Sequence, residues 1–230
     1  MEKTKIIGVL GGYGPYATND FYKLILNAIE AKKDWDYPHV IIDSNPKIPS
    51  RARAFLFDEE SPIPYMIEGI ERLQKAGADF FICPCNTAHY FLRQVNQFPL
   101  PFLDMVNLTL SQIMKDNIKK IGILGSEVTT MTKIYENTLI ENNIEVENVS
   151  KMEDVRFIIE AGKQNQHINE AKNLMLSLIN DFKNKGAEAV IYACTELPII
   201  LPIDQSPLKV YDSSNILAME AVNFAKKHYE

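Results

Sequence analysis

Short apolar runs rich in Val, Ile and Phe alternate along the chain with longer stretches whose apolar positions recur at helical spacing. That alternation is the signature of a parallel α/β sheet. The runs predict strands near residues 5–10, 38–43, 79–84, 101–104, 119–124, 144–148, 188–193 and 208–212. Helices are expected near 15–31, 63–76, 86–97, 106–117, 127–141, 167–185 and 214–228. Pro15 falls in the first turn of the first helix, where a missing N–H costs little.

The pattern repeats. "IIGVLGG" (6–12) matches "KIGILGS" (120–126) at an offset of 114, and "GADFFICPC" (77–85) matches "GAEAVIYAC" (186–194) at an offset of 109. Each half therefore opens with a strand ending in small residues and later reaches a strand that ends in cysteine. Two similar α/β lobes follow: 1–100 joined by 207–230, and 101–206. The Pro-interrupted "QFPLPFLDMVN" (97–107) suits a crossover between them. In parallel α/β sheets, ligands bind outside the carboxyl ends of the strands. If pseudo-twofold symmetry relates the lobes, both cysteines face one interlobe cleft.

Composition narrows the class. The 230 residues are 46% hydrophobic and 23% charged, within the globular range, and the net charge of −6 argues against a nucleic-acid partner. The opening "MEKTKIIGVLGG" lacks the features of a signal peptide, and no stretch approaches the roughly 20 apolar residues of a membrane span. Three cysteines without a framework read as reduced thiols, so a cytoplasmic protein is expected.

Cys85 and Cys194 each precede an expected helix start, where unpaired N–H groups favour an anion and lower a thiol pKa toward neutrality. Asn86, Thr87 and Thr195 supply donors beside the sulfurs. A lone free cysteine is usually core; the duplicated placement turns the balance toward chemistry. Cys83 has Tyr192 as its counterpart and reads as core, and His89, a turn into its helix, reads as structural. A zinc site from Cys83, Cys85, His89 and Cys194 fits no ordinary structural spacing. "LGGYGP" (10–15) lacks a dinucleotide fingerprint, although its backbone N–H groups suit a carboxylate. The parallel loop "LGSEVTT" (124–130) offers Ser126 and Thr129 as hydroxyl donors. In the polar, Pro-restrained loop "SNPKIPSRARAF" (44–55), Arg51 and Arg53 are candidate carboxylate clamps. Lys163, in "EAGKQNQ", is a further candidate cation.

These motifs resemble those of the aspartate/glutamate racemase superfamily, in its cofactor-independent aspartate racemase branch. The matches are "GGYGPYAT" (11–18), "NPKIPSR" (45–51), "PCNTAH" (84–89), "ACTE" (193–196) and "YDSS" (211–214). The resemblance implies two Rossmann-like lobes with the site between them, a homodimer, and no pyridoxal phosphate, other cofactor or metal. It implies Cys85 and Cys194 as opposed acid and base, with Asn86, Thr87 and Thr195 holding the α-carboxylate and amino group. It also implies Arg51 as reader of the side-chain carboxylate, Lys163 as a second cationic contact, and Tyr13 at a site-facing position usually filled by methionine. Three departures surround recognition: "IPSRA" stands for the usual "IPDRT", Val128 stands where a glycine is expected, and Tyr13 is bulkier.

The expected reaction is racemisation of an acidic amino acid, aspartate first and glutamate second. One thiolate removes the α-proton and the opposite thiol reprotonates the other face. The alternatives are decarboxylation or cis-trans isomerisation of a small dicarboxylate, or non-catalytic binding of an amino acid.

Overall fold

The computed structural model describes residues 4–226. In chain order its elements are β1 (Ile7–Gly11), α1 (Pro15–Asn27), β2 (Val40–Ser44), α2 (Arg51–Phe57), α3 (Ile63–Lys75), β3 (Phe80–Ile82), α4 (Asn86–Leu92) and β4 (Phe102–Leu103). The second half continues with α5 (Met105–Met114), β5 (Lys120–Gly125), α6 (Glu127–Met131), α7 (Glu136–Glu141), β6 (Glu145–Asn148), α8 (Met152–Gln164) and α9 (Ile168–Asn184). It closes with β7 (Ala189–Ala193), α10 (Leu197–Ile200), β8 (Lys209–Asp212) and α11 (Ser213–Lys226).

Two four-stranded sheets result, ordered β2-β1-β3-β4 and β6-β5-β7-β8, and every pairing is parallel. The order is the same in both, as the internal repeat predicts, and each sheet is Rossmann-like. The central strands are apolar because helices cover them: Ile7, Val9 and Leu10 of β1 and all of β3 are buried, as is every residue of β7. Around the first sheet pack Met66, Ile70 and Leu73 of α3 and Phe91 and Leu92 of α4. Around the second pack Val155 and Ile158 of α8 and Met175, Ile179 and Phe182 of α9.

The lobe boundaries differ from the expected 100/101 and 206/207. The compact units are 1–105 with 214–230, and 106–213. β4, expected to open the second lobe, pairs with β3 in the first sheet, and β8, expected to return to the first lobe, pairs with β7 in the second. The helices change unit and the strands do not. In the second unit, the turn after α5 is tied to β8 by Asp116, which accepts from Lys209 and Tyr211. In the first, α11 meets β3 and the residues leading into β1: Lys5 N–H donates to Ala225 O at 2.9 Å, and Phe80 meets Phe224 edge-on at 4.8 Å between ring centres.

Four helical expectations also change. The loop 44–55 contains α2, because the Ser50 hydroxyl caps it by accepting from Arg53 N–H at 3.3 Å. The helix expected over 127–141 is two helices. Thr130 and Thr132 hydroxyls donate back to the Ser126 and Val128 carbonyls, and Lys133 at φ 52° ends the run. α8 lies where no helix was expected, and the helix start expected after Cys194 proves to be the four-residue α10. Residues 227–228 of the last expected helix lie outside the described residues.

Candidate active site

Register brings the functional loops together within each unit. In the first, Gly11 of β1 pairs with Ser44 of β2, and Val9 pairs with Ile82 of β3. The segments after Gly11, Ser44 and Ile82 therefore emerge side by side at the carboxyl edge. Gly12 makes the turn possible: its φ is +90°, and a Cβ there would lie 2.4 Å from the Asn45 backbone. Gly12 N–H donates to Thr18 Oγ1 at 2.9 Å, and Thr18 Oγ1 donates to Gly14 O at 3.0 Å, which fastens the turn onto α1.

This close approach carries the 45–51 segment over Tyr13. The Arg51 guanidinium lies 4.6 Å from the Tyr13 ring centre, and its Nη1 donates to Pro49 O at 3.1 Å. Arg51 Nε and Tyr13 Oη are buried and have no hydrogen-bond partner among the described residues. Burial pushes the Tyr13 phenol far above its ordinary pKa. Cys83 and Cys85 add to that rise and Arg51 opposes it, so the hydroxyl stays protonated. Arg53 is elsewhere: it forms a two-pronged ion pair with Glu59 on the surface.

Cys85 is the N-cap of α4, in extended conformation and partly buried. His89 holds its backbone. His89 Nδ1 bonds Cys85 O at 2.9 Å, and Nε2 accepts from Met105 N–H at 3.0 Å, which fixes a neutral ring protonated on Nδ1. Burial lowers the His89 pKa and outweighs nearby Asp104. His89 is thus structural, as expected. Cys83 is fully buried and its thiol is pushed well up by desolvation. Asn86 and Thr87 open α4 directly after the thiol, Asn86 buried and Thr87 half-buried.

In the second unit, Gly125 of β5 pairs with Ala193 of β7, so Ser126 and Cys194 leave adjacent strand ends. Ser126 caps α6, accepting from Thr129 N–H at 3.3 Å and sharing a 3.0 Å hydroxyl contact with Thr129. Val128, where a glycine was expected, is fully buried core. Cys194 Sγ donates to Glu196 Oε2 at 2.9 Å, and Thr195 Oγ1 donates to the same oxygen at 3.2 Å. Lys163, exposed on α8, acts on Cys194 in the opposite electrostatic sense.

Here the expected depression of the thiol pKa fails. Cys194 is held well above its ordinary value, first by burial and then by the Glu196 carboxylate, against which Lys163 works only in part. α10 has four residues, too few for its dipole to compete with a full charge in hydrogen-bond contact. Glu196 is the residue that sequence reasoning missed. Its signal lay in the repeat, where position 196 aligns with Thr87 and an acid replaces a hydroxyl. Among the described residues, no three His, Cys, Asp or Glu side chains gather as metal ligands.

The family described as Asp/Glu/hydantoin racemase matches residues 10–221. The chain is 33% identical over 224 residues to the broad specificity amino-acid racemase of Bacillus subtilis (strain 168), covering 95% of this chain and 97% of that protein. It is 27% identical over 174 residues to the glutamate racemase of Aquifex aeolicus, covering 73% and 67%. Among solved structures, an aspartate racemase from Picrophilus torridus superposes with a TM-score of 0.90 at 30% identity, over 98% of this chain and 96% of that one. An aspartate racemase homologue from Pyrococcus horikoshii gives 0.77 at 26%, over 97% and 100%.

Proposed function

The chain belongs to the Asp/Glu/hydantoin racemase family and is an amino-acid racemase, and from that premise we propose that it inverts the α-carbon of an acidic amino acid, aspartate first, with Cys85 and Cys194 as opposed acid and base and without pyridoxal phosphate. One thiolate takes the α-proton while the electron pair of the broken C–H bond stays on Cα. The opposite thiol then gives its proton to the other face of that carbon and becomes the thiolate. Each turnover in one direction therefore leaves the two sulfurs in exchanged protonation states. The observation carrying this reading is that both cysteines follow the same strand in two sheets of identical order. Facing placement across a cleft between the units belongs to the proposal.

Without a cofactor to delocalise the carbanion, donors set in advance around the α-carboxylate must stabilise it, commonly the largest contribution in catalysis. Asn86 and Thr87 beside Cys85, Thr195 beside Cys194, and Ser126 at the neighbouring strand end are the donors we assign to that group. Arg51 is assigned to the side-chain carboxylate. Its Nε–H is buried without an acceptor, and a substrate carboxylate supplies one in the geometry guanidinium prefers. Tyr13 backs the guanidinium with its ring and brings a protonated hydroxyl. Lys163 is assigned as the second cation. Aspartate leads because the Picrophilus torridus structure is an aspartate racemase.

A second reading, wider specificity, is favoured by the likeness to the broad specificity amino-acid racemase and by Arg51 already spending Nη1 on the Pro49 carbonyl. We further propose a homodimer working in the cytoplasm, with the dimer read out by light scattering on the eluting protein. Among the described residues, no helix is long and apolar enough to cross a membrane.

The test is incubation of the purified protein with L-aspartate, L-glutamate and neutral amino acids separately in deuterated buffer, with no added cofactor. Expected are loss of optical activity and deuterium at Cα with no loss of carbon, fastest for aspartate. Carbon loss would indicate decarboxylation instead. Cys85→Ala and Cys194→Ala are each expected to lower kcat by about 10²–10⁴-fold, the usual reach of one acid or base. Full activity in either variant refutes the assignment.

A further inference from the structure

The two thiol-bearing turns differ in one respect that bears on their chemistry. Cys85-Asn86-Thr87 aligns through the repeat with Cys194-Thr195-Glu196, so only the second turn holds an acid. Glu196 is 2% exposed. Its Oε2 accepts from the Cys194 thiol and the Thr195 hydroxyl, while Oε1 is buried with no hydrogen-bond partner among the described residues. A buried carboxylate so sparsely supplied with donors is costly and persists only where the surrounding structure holds it. Gly162 of α8 helps to do so, since a Cβ there would lie 2.9 Å from Glu196 Cβ.

We propose that Glu196 is a positioning residue that keeps Cys194 protonated in the resting enzyme, so that Cys194 starts as the acid and the opposite side supplies the base. The inference rests on the two-cysteine reading above for its catalytic consequence, but not for its chemistry at the sulfur. A carboxylate accepting the S–H bond stabilises the thiol and repels the thiolate. The charged side chains acting on Cys194 are Glu196 from its own turn and Lys163 from α8, in opposite senses. Because a racemisation has an equilibrium constant of one, kcat/KM must be equal in the two directions. Bias in the resting state therefore shows only as a split between kcat and KM. The enantiomer that needs the minor protonation state has the higher KM, because a fractionally populated form weakens apparent binding.

The experiment measures alkylation of the intact protein by iodoacetamide as a function of pH, with peptide mapping to follow Cys194 and with Cys85 as internal reference. Glu196→Gln keeps the size and removes the charge. Cys194 alkylation at pH 7 is expected to rise about three- to tenfold per unit of pKa released, the lower figure allowing for weaker nucleophilicity of a more acidic thiol. Glu196→Asp keeps the charge and is expected to stay closer to wild type; should Glu196→Gln not fold, a wild-type pH profile in which Cys194 alkylates at or below the ordinary thiol range of about 8.5 overturns the proposal. Alkylation at the wild-type rate or slower in Glu196→Gln, or equal acceleration in both variants, overturns the proposal. The ratio of the two enantiomers' KM values is expected to move in Glu196→Gln. An unchanged ratio beside faster alkylation removes Glu196 from the catalytic cycle. The alkylation result stands whether or not the protein racemises aspartate, so failure here is distinguishable from failure of the proposed function.

Discussion

His89 shows what a single side chain contributes when both ring nitrogens are used. It joins the carbonyl of Cys85, four residues before it, to the backbone of Met105, 16 residues after it, from a fully buried position. Truncation to alanine leaves the Met105 amide without this acceptor and opens a cavity, so a loss of about 2–4 kcal/mol is expected in urea unfolding. Its pH signature follows from its lowered pKa. The unfolded chain takes up a proton near the ordinary histidine value of about 6.5 while the folded chain does not. This contribution to stability is therefore present above that value and lost as pH falls below it. His89→Ala is expected to flatten the decline between about pH 6.5 and the lowered folded value. At this scale the places of Cys85 and Cys194 after matching strands, and the burial of His89, were legible in the sequence, because spacing and repetition set them. Glu196 was not: its influence on Cys194 comes from a turn that lays its carboxylate against the sulfur.

Among the elements, those with clean periodicity were readable and those built by capping or interruption were not. α3 and α9 fell where expected because their apolar residues recur at helical spacing and face the sheets. α2 was hidden among prolines and is only seven residues long, held by one serine cap. α6 and α7 read as one helix because side-chain hydroxyls turning back on the chain leave no trace in hydrophobic pattern. The break between them suggests a simple stabilising change. Lys133 is exposed at φ 52° and pairs only weakly with Glu136 at 3.9 Å. Left-handed backbone costs a non-glycine residue roughly 1–2 kcal/mol. Lys133→Gly is expected to gain about 0.5–1 kcal/mol after the extra entropy of an unfolded glycine, read as a higher Tm with racemase activity unchanged.

For the molecule as a whole, two thiols, Cys83 fully buried and Cys194 half-buried, bear on the alkaline limit. Cys83 and Cys194 both have folded pKa values well above the ordinary thiol range, mainly because burial penalises the thiolate. An unfolded chain loses these protons near about pH 8.5, whereas the folded one retains them. The stability they supply is complete below that pH and declines as pH rises through it toward the folded values. Cys83→Ala is expected to lower Tm modestly at pH 7, through the small cavity it leaves, and to make the fall of Tm between about pH 8.5 and 10 shallower. A slope identical to wild type would mean that Cys83 ionises as readily in the folded protein as in the unfolded chain. The twofold repetition of the architecture was legible at this scale. Its boundaries were not, because the short β4 lies in the Pro-interrupted stretch that looked like the crossover.

The exchange of helices has a consequence for biosynthesis. The second unit is one uninterrupted stretch, 106–213, whereas the first is closed by α11 from the far end of the chain. On a ribosome, the nascent chain can assemble the later sheet and its helices while the earlier sheet still waits for its last cover. The half that is translated first is the half that matures last.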